Sequence, residues 1–93
     1  MIVRDGDRVL VSGRITMAEA ATLLEEGRSL AIDGPLIFDL AGVTGTDSSA
    51  LAVLFGWLRE ANQSNRKLDF SNAPASLLSL AEVYGVDDLL SQH

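Results

Sequence analysis

Cysteine is absent from the 93-residue sequence, which excludes disulfides and thiolate metal sites and fits a reducing compartment. Histidine occurs once, as His93, the last residue, so a histidine-based acid, base or metal centre has no internal side chain to stand on. Basic residues are few: 7 Lys and Arg against 13 Asp and Glu give a net charge of -6 and a pI near 4.4. They are also scattered, at Arg4, Arg8, Arg14, Arg28, Arg59, Arg66 and Lys67. Phosphate backbones and anionic lipids both need clustered cations, so nucleic acid and a charged membrane surface are excluded as partners. Long apolar runs are missing as well. The longest, ALAVLFGWL, covers about nine residues against the ~20 that span a bilayer, and MIVRDGDRVLVSG puts charges where a signal peptide requires an apolar stretch. These absences lead us to expect a cytoplasmic domain without direct membrane insertion.

What is present has a globular balance, 47% hydrophobic with 22% charged residues. The length suits one domain, residues 1–93, and is too short for two. Gly6-Asp7 precedes RVLVSGRI, which predicts a hairpin feeding a strand over about 8–12, with a shorter strand over 2–4 before it. Thr16 stands three residues before Glu19, the capping-box spacing, and opens a helix predicted over 16–31. Gly34-Pro35 punctuates the chain before LIFDL, a mostly apolar run of strand length that reads as a central strand. A second helix is predicted over about 48–65, a short strand over KLDFS, a third helix over ASLLSLAEVYG ended by Gly85, and a short terminal helix over VDDLL. Strands alternating with helices imply an α/β fold: a mixed β-sheet packed with about four helices.

The stretch FDLAGVTGTDSSALAVLFGWL carries the functional question. Thr46, Asp47 and Ser48 are all good N-cap types, and a cap there would satisfy orphan amides of the second helix. The same helix start presents amide donors and a positive dipole end, so a hydroxyl in that position is also suited to carrying a phosphate. At 100° per residue, Leu51, Leu54, Phe55 and Leu58 share one face and are assigned to the core. Ser49, Val53, Gly56, Trp57 and Glu60 point largely the other way, and this mixture of small residues with Val53 and the single Trp suits docking of another protein, the alternative being that Trp57 packs under a neighbouring loop. Other chemistry is weakly supported. GVTGTDSS lacks the Lys of a P-loop, Asp87 and Asp88 read as capping residues rather than metal ligands, and Asp39 is positioned to accept backbone or Ser hydrogen bonds. No metal and no cofactor is called for.

The stretch DLAGVTGTDSSAL, residues 39–51, resembles the hallmark of the STAS domains, a strand ending in a pattern like DLxxVxxxDSSG followed by an amphipathic helix. The resemblance implies a single small STAS-like domain. In the bacterial anti-sigma factor antagonists that share the pattern, the Ser or Thr after the Asp is phosphorylated by a partner kinase. Residue by residue that position is Ser48, with Asp47 as the preceding acid and Ser49 as the second small hydroxyl residue. Thr46 and Ala50 depart from that branch, standing where antagonists carry an apolar residue and Gly. A second branch, the STAS subunit of the Mla-type phospholipid ABC transporter of Gram-negative bacteria, is similar along nearly the whole chain, including LAVLFGWLREA and LAEVYGVDDLL. That resemblance implies a non-catalytic adaptor, peripheral to the inner membrane through its partners, the transporter ATPase and, through it, the membrane permease. The contact surface it implies is Thr46, Asp47, Ser48 and Ser49, extended by Val53 and Trp57. The alternative is an anti-sigma factor antagonist that meets a serine kinase and an anti-sigma factor and is switched at Ser48.

Overall fold

A computed structural model describes residues 1–35, 37–86 and 90. The chain first doubles back at Gly6, whose φ of +60° suits the tight turn between β1 (Ile2–Asp5) and β2 (Arg8–Ile15). There follow α1 (Met17–Asp33), β3 (Ile37–Thr46), α2 (Ser48–Gln63), β4 (Asp69–Ser71) and α3 (Ala75–Val83). The sheet has the order β1-β2-β3-β4, with β1 antiparallel to β2 and the other two pairs parallel. Strand order thus advances one step with each crossover. Since such crossovers are right-handed, α1 and α2 fall on the same face.

Alternate residues of the strands meet those helices. Val9, Val11, Phe38, Leu40 and Phe70 are all buried in one cluster with Leu23, Ala31, Leu54, Trp57, Leu77 and Ala81. At its centre Phe38 lies 5.1 Å from Trp57 and 6.3 Å from Phe70, ring centroid to ring centroid, the tilted and edge-on geometries aromatic quadrupoles favour. The expected α/β mixed sheet is therefore present.

The expected capping box forms at the start of α1. The Glu19 carboxylate accepts from the Thr16 N–H at 2.9 Å and from the Thr16 hydroxyl at 2.6 Å. At the other end of α1, Arg66 donates to the carbonyls of Ala31 and Gly34 at 3.4 and 2.5 Å, placing a cation where carbonyls lack helical partners.

Four elements differ in extent from expectation. Both β2 and β3 run further than predicted, to Ile15 and Thr46, because the small residues of AGVTGT stay paired with β2 across two register shifts, one of them at Gly13 with φ +84°. Helix α2 stops at Gln63, where Ser64 and the left-handed Asn65 (φ +58°) close it. β4 is only Asp69–Ser71. Gly85, at φ +72°, follows α3 as predicted. The helix expected over VDDLL falls chiefly on residues 87–89, outside the described ones, and three helices are present among those described.

Candidate docking site at two helix starts

Ile15 and Thr46 are register partners at the ends of β2 and β3. Because these strands are parallel, the helices that follow them, α1 and α2, begin side by side at the same edge of the sheet. One side chain joins the two starts. Asp47, extended at φ -133° and ψ -170°, is the N-cap of α2, and its Oδ1 accepts from the Ser49 N–H at 2.8 Å. Its Oδ2 accepts from the N–H of Met17, the first residue of α1, at 3.1 Å. The Asp47 N–H points back to the carbonyl of Ile15 at 3.4 Å.

The electrostatics follow from this geometry. The Met17 amide is the main influence holding the Asp47 carboxyl below its ordinary value, opposed by partial desolvation and aided by Ser49 and by the Arg14 charge. Glu19 is lowered chiefly by the Thr16 hydroxyl, then by the Thr16 amide. Each helix start is therefore already matched by one committed carboxylate.

Ser48 is exposed beside this junction, while Thr46, Asp47 and Ser49 are half-buried. The Thr46 Oγ1 atom is shielded and makes no hydrogen bond among the described residues. Met17 is 79% exposed, and its amide is held by Asp47, the residue before Ser48. Sequence reasoning missed Met17. The available signal was an apolar residue directly after the predicted cap Thr16, in the first turn of α1, where charged or polar residues normally stand.

Val53 and Trp57 do not belong to this surface. They are 1% and 0% exposed, because the face of α2 opposite Leu54 is covered by α1. Gly27 of α1 admits the indole, whose Nε1–H donates to the Leu24 carbonyl at 3.2 Å. Gly56 of α2 in turn admits the Leu24 side chain. Val53 and Trp57 are core, and an outward docking face built from them is excluded. Leu51 and Leu54 are core as expected, whereas Phe55 and Leu58 are half-buried and line a small apolar recess with Phe70, Val86 and Leu90.

Asp39 takes the role expected of it as an acceptor. It receives the Ala41 N–H at 2.9 Å, the Arg8 guanidinium at 2.8 Å and the Asn72 amide at 3.2 Å, and the Ala41 bond is the foremost cause of its lowered pKa. Among the described residues no group of three metal-ligating side chains occurs, and no helix is long and apolar enough to cross a membrane.

No curated protein matches the chain. The structure is similar to that of the anti-sigma factor antagonist SpoIIAA in its unphosphorylated form, with a TM-score of 0.74 at 10% identity over 97% of this chain and 84% of that one. It is also similar to part of Mglu, with a TM-score of 0.60 at 20% identity over 81% of this chain but only 19% of that one. At these identities both likenesses concern the fold. A family model described as Mlab, STAS domain, matches residues 2–91, nearly the whole sequence: the chain belongs to the STAS domain family.

Proposed function

We propose that this STAS domain is a non-catalytic adaptor that docks on the ATPase of an Mla-type phospholipid ABC transporter and supports its assembly and activity. The observation that carries the reading is the match of residues 2–91 to a family model whose description names Mlab. The site adds a physical argument. Its carboxylates are committed: Asp47 and Glu19 hold helix-start amides, and Asp39 ties strands together. A platform with committed acids, an exposed Ser48 and a protruding Met17 suits contact with another protein better than proton transfer or nucleophilic attack. In this reading the domain is cytoplasmic and reaches the inner membrane only through the ATPase and its permease.

A second reading rests on the structural likeness to SpoIIAA and on the exposure of the Ser48 hydroxyl at the first position of α2: an anti-sigma factor antagonist switched by phosphorylation of Ser48. One experiment separates the two. The tagged protein is captured from its own host after gentle membrane solubilisation, and its companions are identified by mass spectrometry. An ABC ATPase with its permease is the expected result; a serine kinase or an anti-sigma factor would overturn the adaptor.

A further inference from the structure

Helices cover one face of the sheet, and the opposite face has a composition of its own. The register aligns Asp5, Arg8, Ile37 and Asp69 in one row across all four strands, and Val3, Leu10, Asp39 and Ser71 in the next. Paired residues share a face, and these alternate with the core residues Val9, Phe38 and Phe70. Val3 is 42% exposed, Ala41 is exposed, and Leu10 and Ile37 are half-buried, so apolar side chains stand on this face beside the Arg8–Asp39 ion pair of the two central strands. Val3, Leu10, Ala41 and Gly42 line a shallow groove there, with Asp39 along it.

The charges on this face say what it takes. In these two rows the charges are Asp5, Asp39 and Asp69 against Arg8 alone, and Arg8 is spent within the face, donating to Asp39 at 2.8 Å and to Ser71 at 3.1 Å. Asp5 and Asp69 make no hydrogen bond or ion pair through their side chains among the described residues, and they stand on the two outer strands, one at each end of a row. With each chain carrying a net charge of -6, a second copy would set like charge against like charge.

We propose that this sheet face, uncovered among the described residues, is a second docking surface, and that its occupant is a basic amphipathic helix of a partner protein. The apolar side of the helix lies on Val3, Leu10 and Ala41, and its Lys or Arg residues reach Asp5 and Asp69. This arrangement repeats on the open face the helix-on-sheet packing that α1 and α2 already make on the other.

The test uses the full chain, labelled with 15N, and two synthetic helical peptides of about 18 residues, ~27 Å long. One has the amphipathic pattern Leu/Lys, the other the same pattern in Leu/Glu. The expected result is that the Leu/Lys peptide shifts the amide signals of Val3, Leu10, Ile37 and Ala41. Its affinity should fall roughly tenfold as salt rises from about 0.05 to about 0.3 M, because the charges are exposed. The double variant Val3→Lys, Ala41→Lys changes exposed positions only, should retain the folded spectrum and should lose the peptide. Binding centred on the acids of α1, Glu25 and Glu26, equal binding of the Leu/Glu peptide, or no binding of either would overturn the proposal. So would self-association of the free chain through this face in sedimentation. The readout needs no transporter, so its failure and a failure of the adaptor reading are told apart.

Discussion

Gly27 of α1 packs against the indole of Trp57 of α2: a Cβ built on Gly27 would clash with the Nε1 and Cε2 atoms of the ring. The ring has no room to retreat, since Phe38 stands 5.1 Å away on its sheet side and its Nε1–H is held by the Leu24 carbonyl. A glycine inside a helix is unfavourable by about 1 kcal/mol relative to alanine, so here close packing outweighs helix propensity.

Gly27→Ala is accordingly expected to destabilise the domain by about 1–3 kcal/mol, the usual range for overpacking, even though alanine is the better helix former. Trp57→Ala should cost about 3–5 kcal/mol and Leu54→Ala about 2–5 kcal/mol. Urea unfolding followed by circular dichroism measures all three. The Gly27→Ala penalty should shrink in a Trp57→Leu background, because the two residues share one space. Equal penalties in both backgrounds would show that the contact is not what limits position 27.

The same pair explains where sequence reading succeeded and where it failed. The capping box at Thr16 and Glu19, the hairpin at Gly6 and a cap within Thr46, Asp47 and Ser48 are written in local residue types, and each was legible. The burial of Trp57 was not, because it depends on Gly27, 30 positions away in the sequence. Gly27 on its own signals only a weakened helix. Only the approach of α1 to α2 makes Gly27 and Gly56 a matched pair of notches. The extension of β3 to Thr46 was hidden for a related reason. AGVTGT has the composition of a loop, and its strand character comes from pairing with residues 12–15 of β2. Asp47 stood among three cap candidates with Thr46 and Ser48, and its second bond, to the Met17 amide, joins residues that become neighbours only through the parallel pairing of β2 with β3.

Asp47→Ala is expected to release the starts of both helices at once. The Met17 and Ser49 amides each donate to this one carboxylate, so amide hydrogen exchange at positions 17 and 49 should accelerate together while the amides of β3 keep their protection. Faster exchange at Ser49 alone would mean that Asp47 caps only its own helix in solution.

Acid should weaken the fold before any other titration does. Asp39 and Asp47 are both lowered from an ordinary 3.8, and Glu19 from 4.5, by hydrogen bonds that need the charged form. A carboxyl whose pKa is lower folded than unfolded stabilises the fold fully above its unfolded value, and that stabilisation is lost as pH falls through the folded value. The urea midpoint should therefore be flat from about pH 8 to about pH 5 and fall below ~4.5. Asp39→Asn should lower the midpoint at neutral pH and flatten the acid limb. A fall centred near pH 6.5 would point to a group other than these three.

Ser48→Asp addresses function rather than folding. The side chain is exposed at the first position of α2, where the helix dipole tolerates an acid, so the melting temperature should stay close to that of the parent protein. The new carboxylate would nevertheless sit beside Asp47 on the proposed contact surface. Against the purified transporter ATPase we expect an affinity loss on the order of tenfold by calorimetry, with Ser48→Ala binding nearly as the parent does. Unchanged affinity for Ser48→Asp would remove Ser48 from the interface. A gain would mean that the partner presents an Arg to this position, where an added negative charge forms charge-assisted hydrogen bonds, and would favour the phosphorylation-switched reading.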